Sequence, residues 1–218
     1  MASIQPFMKT VFALLHQRLI ALGFRKGKYL FTLSISEDVL GTVGLNKATT
    51  GRGRGVLEIN PVIGVHNLRV GRLVAELAEE EKFDGTGLCL AQANVGYLSP
   101  ASEYVPYLFV EGTPPDSLAD QLVDAVKTYG LPFIRSNVPL PTLLETMHST
   151  RFGNPWNREY GIPVALYLLG RNSEAEAFLN DELAKIGSRT DPASQRFRTF
   201  ASRLREQMMK PVLSSSVR

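Results

Sequence analysis

Apolar residues recur every three or four positions near the start of the chain and every second position after that. The first spacing predicts an amphipathic helix over residues 6–22. The second spacing predicts three strands with short connections, over residues 29–36, 39–45 and 56–65. Strands joined this closely are antiparallel, because parallel neighbours need long crossovers. Since proline cannot donate a backbone hydrogen bond, Pro61 predicts that the third strand is an edge strand or is broken there.

The remainder of the chain shows the same two patterns and then becomes helical. Strands are expected over residues 88–98 and 103–111, and helices over residues 67–82, 113–130, 141–148, 162–169, 173–186 and 191–211. Gly130 and Pro132 are expected to end the third helix, and residues 149–161 are expected to be irregular. This order predicts an α+β fold, with an antiparallel sheet of about five strands packed by helices. We expect an α+β domain over residues 1–150 and a helical C-terminal segment over 151–218, packed together as one structural unit.

Composition places the chain among globular proteins. Of its 218 residues, 44% are hydrophobic and 21% are charged, which is not the balance of a disordered chain. No apolar run approaches the roughly 20 residues that a membrane-spanning helix requires. The single cysteine, Cys89, leaves no partner for an intramolecular disulfide and fits a reducing compartment. We therefore expect a cytoplasmic protein that has no membrane partner.

Charge is distributed unevenly along the chain, whose net charge is +3. Residues 188–218 contain seven basic and two acidic residues, so the last helix carries the positive excess. Such a segment attracts a polyanion or an acidic partner, or else forms a solvated helix face. Residues 1–36 contain neither Asp nor Glu, which is compatible with a transit peptide or with an ordinary first helix. The basic residues of this stretch are Lys9, Arg18, Arg25, Lys26 and Lys28.

Two short segments have a recognisable order of residues. Residues 22–26 read Leu-Gly-Phe-Arg-Lys and precede an aromatic strand at 29–31, and residues 126–133 read Val-Lys-Thr-Tyr-Gly-Leu-Pro-Phe. With the elements between them, over residues 5–150, they resemble a bacterial family catalogued as domain of unknown function 4304. Members of that family resemble small immunity and interaction domains of bacterial toxin systems, so the resemblance implies a bacterial protein-binding role and no known activity. Residues 165–177 also resemble one tetratricopeptide-type hairpin, a unit that needs stacked neighbours.

The glycine-rich segment Gly51–Gly55 is the first candidate site. It lacks the Gly-Lys-Ser/Thr ending of a phosphate-binding loop and does not open a helix. One interpretation is a flexible hairpin loop, because glycine supplies the positive φ angles of turns. The other is an anion-binding site in which Arg52 and Arg54 act with Arg69 and Arg72 of the next helix.

Residues 151–160 form the second candidate site, because they combine arginine with several aromatic residues. Arginine, tryptophan and tyrosine are enriched in binding hot spots, and recognition residues often lie on loops. The predicted partner-binding residues are Arg151, Phe152, Trp156, Arg158 and Tyr160. The alternative is that Phe152 and Trp156 anchor the loop on the core, as large aromatic side chains commonly do.

Catalytic, metal and cofactor motifs do not occur in the sequence. Cys89 could pair with His66 or His148 as nucleophile and base, but its apolar strand is typical of a cysteine that packs as a small hydrophobe. The histidines are dispersed and no His-Glu-x-x-His motif is present, so we predict no metal site and no cofactor.

Three functions are compatible with these observations. The leading hypothesis is a non-catalytic protein-binding module, in its narrower form an immunity-type inhibitor of a bacterial toxin. The first alternative is a nucleic-acid-binding protein that uses the basic C-terminal helix and the arginine-rich loop. The second alternative is an enzyme whose site the sequence does not reveal.

Overall fold

An antiparallel sheet organises the computed structural model, which describes residues 4–28, 30–49, 53–79, 87–154 and 157–210. Six strands belong to this sheet within the described ranges, and helices pack against it, which confirms the predicted α+β fold. The strands are β1 Arg25–Lys26, β2 Phe31–Ser34, β3 Val39–Ala48, β4 Val56–Asn67, β5 Ala91–Asn94 and β6 Tyr107–Val110.

Helices alternate with the strands in the first part of the chain and make up most of its C-terminal third. They are α1 Gln5–Ala21, α2 Leu68–Leu77, α3 Asp116–Ala125, α4 Leu131–Ser136, α5 Leu140–His148, α6 Arg158–Leu168, α7 Asn172–Ile186 and α8 Pro192–Met209. A 3₁₀ turn, Val95–Leu98, follows β5, and a π-helical turn, Val126–Gly130, joins α3 to α4. Helices α1, α5 and α7 match their predicted bounds within one residue. No helix in the described part of the chain is long and apolar enough to cross a membrane.

Strand β4 lies at the centre of the sheet. One edge pairs with β3 from Glu58 to Asn67. The other edge pairs with β6 over residues 56–59 and with β5 over residues 62–65. The prediction that Pro61 marks a sheet edge or a break is therefore wrong, since the strand continues through it with partners on both sides.

Pro61 is accommodated because its backbone points toward the gap between β5 and β6, where no strand needs a hydrogen bond from it. Backbone groups alternate in direction along an antiparallel strand, and the carbonyl of Gly55 accepts a hydrogen bond from Glu111 N–H, on the β6 side, at 2.8 Å. Odd-numbered residues of β4 therefore face β5 and β6, and Pro61 lies between the segments that those strands pair with. The neighbouring chain leaves the sheet at this point. Residues 95–106, which we call the excursion, connect β5 to β6.

The segment around Gly130 approaches the sheet closely. A Cβ atom at Gly130 would lie 2.8 Å from Ile63 Cδ1, so glycine is needed there for packing against β4. Its backbone is helical, with φ −68° and ψ −49°. Pro132 lies in the first turn of α4, directly after the π-helical turn, and the chain stays helical through both residues. The prediction that Gly130 and Pro132 end the helix is therefore wrong.

The C-terminal helices share one hydrophobic core with the sheet and its helices. Buried residues of this cluster come from α1, from the strands and from α6 to α8. Phe197, Phe200 and Leu204 give α8 a fully buried stripe. Arg203 Nη1 also donates to the carbonyl of Leu77, at the end of α2, at 3.1 Å. Helix α2 thus ends before the predicted residue 82, and its last turn contacts α8.

Loss of the α2 cap should measurably destabilise the protein. The side-chain oxygen of Asn67 accepts hydrogen bonds from the N–H groups of Arg69 and Val70, both at 3.1 Å. Asn67→Ala removes both bonds, and we expect the free energy of unfolding to fall by about 1 kcal/mol in urea denaturation followed by circular dichroism. Ser117→Ala is the control, because its exposed hydroxyl makes no capping bond to α3. Equal losses in the two variants would contradict this role for Asn67.

Candidate functional site

The excursion exposes two tyrosine side chains. Tyr97 and Tyr104 are 40% and 44% exposed, although large aromatic residues are usually more buried. The turn at the start of the excursion is fixed by Asn94, whose side chain accepts the N–H of Gly96 at 2.9 Å. A Cβ at Gly96 would lie 2.4 Å from the carbonyl oxygen of Glu103. The two ends of the excursion therefore pack closely, which fixes the backbone that carries the tyrosines.

Arg151 connects the excursion to the chain that follows α5. Its guanidinium carbon lies 6.0 Å from the centroid of the Tyr97 ring and 5.0 Å from that of the Phe152 ring. Its Nη2 also donates to the carbonyl of Tyr97 at 3.2 Å. These distances are those of cation–π contacts. An exposed cation therefore lies within contact distance of two aromatic rings.

The segment that bears Arg151 is anchored beside β5. The N–H of Gln92 donates to the carbonyl of Phe152 at 2.8 Å, and the N–H of Asn154 donates to the carbonyl of Leu90 at 3.3 Å. The half-buried Phe152 ring packs 5.6 Å from the ring of Phe133. Backbone pairing and ring packing together set the position of Arg151. For Phe152, this is the core-anchoring role that the sequence offers as the alternative.

The structure divides the predicted partner-binding residues between two places. Arg151 and Phe152 adjoin Tyr97 on the surface. Tyr160 instead lies on α6 with its ring 4.8 Å from that of Phe200 and 5.5 Å from that of Phe197. Tyr160 thus packs α6 against α8.

Arg158 also belongs to the helix and not to an irregular loop. It is the first residue of α6 and is half-buried. Partial burial lowers the pKa of His148, and the nearby charges of Arg158 and Arg171 lower that pKa further. Trp156 lies outside the described residues. The region expected to be irregular therefore becomes helical from Arg158 onward.

The predicted arginine cluster is separated by the length of β4. Arg54 precedes this strand, whereas Arg69 and Arg72 follow it on α2. At about 3.3 Å per residue, the strand places them about 36 Å apart. Arg69 Nε lies 4.0 Å from Asp38 Oδ2, so this arginine has a carboxylate neighbour. The described arginines form no common anion site, and Arg52 lies outside the described residues.

A polar cleft of about 190 Å³ lies on the face of the sheet that carries the even-numbered residues of β3 and β4. Thr42 Oγ1 lies 3.2 Å from Nε2 of the buried His66. A Cβ at Gly64 would lie 2.4 Å from Thr42 Oγ1, 3.0 Å from Cys89 Sγ and 3.5 Å from His66 Nε2. The fold thus brings Cys89 and His66 into one cleft, which their sequence separation does not reveal. His148 is elsewhere, with its ring 6.5 Å from that of Phe178.

The thiol in this cleft is not activated for nucleophilic attack. Cys89 is half-buried as a residue, but protein atoms enclose its sulfur, and burial raises the pKa of the thiol to about 11. The sulfur donates to the carbonyl of Ala91 at 3.2 Å. Nucleophilic cysteines have lowered pKa values, because the thiolate is the reactive form. The cleft is therefore a packed polar cluster with a protonated thiol.

Within the described ranges, no three His, Cys, Asp or Glu side chains are placed to hold a metal ion together.

Tyr97 and Tyr104 are the surface residues that sequence reasoning missed. Both fall in or beside segments predicted as strands, over residues 88–98 and 103–111. Pro61 is a sequence signal that could have pointed to them, because a proline within a central strand leaves a position without a backbone donor beside the neighbouring chain.

Comparisons with known proteins add no functional assignment. Neither family models, nor curated proteins, nor solved structures give a match to this chain. The resemblance to the family of domain of unknown function 4304 stays a prediction.

Alkylation of Cys89 should be slow in the folded protein. At pH 8 a thiol with a pKa of about 11 is about two orders of magnitude less ionised than free cysteine. We expect iodoacetamide to modify native Cys89 at least about a hundredfold more slowly than in urea, with the native rate rising steeply between pH 8 and 11. Mass spectrometry of timed samples measures both rates. Similar rates in native and unfolded protein at pH 8 would rule out the raised pKa.

Proposed function

We propose that this chain is a non-catalytic protein-binding module. Its contact surface consists of Tyr97, Tyr104 and Arg151, which we call the tyrosine–arginine surface. The observation that carries the proposal is the exposed guanidinium of Arg151 in contact with the rings of both Tyr97 and Phe152. Tyrosine and arginine are among the residue types that contribute most binding energy at protein interfaces.

Hydrogen bonds hold the residues of this surface in place, which favours binding. The Tyr97 carbonyl accepts from Arg151, and the Tyr104 hydroxyl donates to Glu58 Oε1, on β4, at 2.8 Å. Leu108, which pairs with Glu58 across the sheet, is 41% exposed and adds apolar area beside Tyr104. Side chains that are already ordered lose less conformational entropy when a partner binds. The surface therefore combines hot-spot residue types with preorganisation.

The contacts of α8 favour a protein partner over a nucleic acid. Arg203 pairs with Glu79, and Arg205 Nη2 lies 2.8 Å from Glu176 Oε1. Arg198 Nη2 donates to the carbonyl of Gly187 at 2.7 Å. These arginines hold α8 to its neighbours. The basic excess of this helix thus serves internal contacts in the described part of the chain, and less of it is available for phosphates.

Truncation of the tyrosine–arginine surface should weaken the partner complex. We expect Tyr97→Ala with Arg151→Ala to raise the Kd by at least about tenfold, because each side chain would lose a hot-spot contact. The partner is first isolated by affinity purification from the native host, and its Kd is then measured by titration calorimetry. The identity of that partner also decides whether the narrower role, inhibition of a bacterial toxin, is correct.

Arg72→Ala is the matched control for this experiment. Arg72 is an exposed arginine on α2, remote from the excursion in the sequence, and its loss should leave the Kd unchanged. Circular dichroism establishes that each variant folds. A purified partner that binds the double variant as tightly as the wild type would refute the assignment of this surface.

A further inference from the structure

A second concave surface lies between α1 and the turn that joins β1 to β2. This cleft has a volume of about 430 Å³, within the range of small-molecule sites. Its apolar lining comes from Phe12, Ala13, Leu30, Phe31 and Leu45. The ring of His16 also faces it, 5.6 Å from the ring of Phe31. The cleft thus offers an apolar wall that includes two aromatic rings.

Positive charge surrounds this apolar wall, and we call the whole surface the basic cleft. Lys9, Lys26 and Lys28 line it. Lys47 stands at its rim, with Nζ 5.8 Å from the centroid of the Phe12 ring. None of the described residues that line it is acidic. Four ammonium groups therefore converge on one concave surface.

Local structure explains this convergence. Lys9, Ala13 and His16 are spaced by four and three residues on α1, which places them on one face of the helix. The N–H of Gly27 donates to the carbonyl of Leu30 at 2.8 Å, which closes the turn after β1. A Cβ at Gly27 would lie only 3.0 Å from that carbonyl oxygen, so the turn favours glycine. The lysines on either side of Gly27 are thereby presented toward α1.

The basic cleft differs from several other basic positions of the molecule. Seven basic side chains outside it form ion pairs with nearby carboxylates: Arg18, Arg69, Arg171, Lys185, Arg189, Arg203 and Arg205. Lys9, Lys26 and Lys47 form no such pair within the described part of the chain. The charges of Lys9, Lys26 and Lys47 therefore repel one another and attract anions. An anionic ligand would relieve that repulsion.

We propose that the basic cleft binds a small organic anion that carries several negative charges beside a flat apolar group. The lysines would neutralise a polyphosphate or polycarboxylate, since ammonium groups bind such anions as point charges. The apolar group would lie against Phe12 and Phe31. A nucleoside polyphosphate has this chemistry. This site is separate from the tyrosine–arginine surface, so its ligand is independent of the proposed protein partner.

Titration calorimetry at low ionic strength tests the proposal with three probes: ATP, pyrophosphate and adenosine. We expect ATP to bind saturably and more tightly than either of the others, because it alone carries both the charges and the flat group. Its affinity should fall as salt is added, since exposed charges are screened. Absence of saturable ATP binding at low salt, or equal affinities for ATP and pyrophosphate, would overturn the proposal.

Variants distinguish the contribution of the lysines from that of the aromatic wall. The triple variant Lys9→Gln, Lys26→Gln and Lys47→Gln should weaken ATP binding at least about tenfold by removing charge-assisted contacts. Phe12→Ala should weaken ATP binding but leave pyrophosphate binding unchanged. Lys185→Gln is the control, because that lysine lies on α7 and pairs with Glu182. Wild-type affinity in a folded triple variant would overturn the assignment of the cleft.

Discussion

Strand β4 supplies hydrogen bonds to three other strands, and Pro61 is the position along it that has no N–H to supply. Its backbone faces away from β3, so the ladder with β3 stays complete. On the other side, β5 and β6 pair with β4 on either side of Pro61, and the chain between them leaves the sheet. The excursion that carries the exposed Tyr97 thus lies beside the one position of β4 that has no backbone donor.

A segment that leaves a sheet has a fixed conformation only if contacts outside the ladder hold it in place. Here the close approach of Gly96 to Glu103 ties the ends of the excursion together, and Arg151 bonds to the Tyr97 carbonyl from a segment that is itself paired with β5. These contacts are local and polar, and they do not require burial of the tyrosine rings. The fold thus fixes the position of these aromatic side chains without burying them. They remain available to a partner and are not part of the core.

Local patterns in the sequence predicted the helices well, and long-range constraints account for the differences. The bounds of α1, α5 and α7 were predicted within one residue, because apolar spacing and helix-terminus residues mark them locally in the sequence. Gly130 was predicted as a helix end, but its lack of a side chain serves packing against Ile63, which lies far away in sequence. In the candidate site, residue composition pointed to Arg151 and Phe152. It could not separate them from Tyr160, because only the tertiary contact with α8 shows that this ring is a packing residue.

Arginine and lysine side chains have different roles in this structure. Arginines such as Arg18 and Arg205 make multiple hydrogen bonds to fixed carboxylates, which suits their planar fork of donors, and they fasten helices to one another. The lysines of the basic cleft have flexible stems and compact charges, and Lys9, Lys26 and Lys47 enter no ion pair among the described residues. Internal neutralisation would have needed carboxylates nearby, and none of the described residues that line the cleft is acidic. The charge that α1 and the β1–β2 turn bring together is therefore directed toward a counter-charge from outside the molecule.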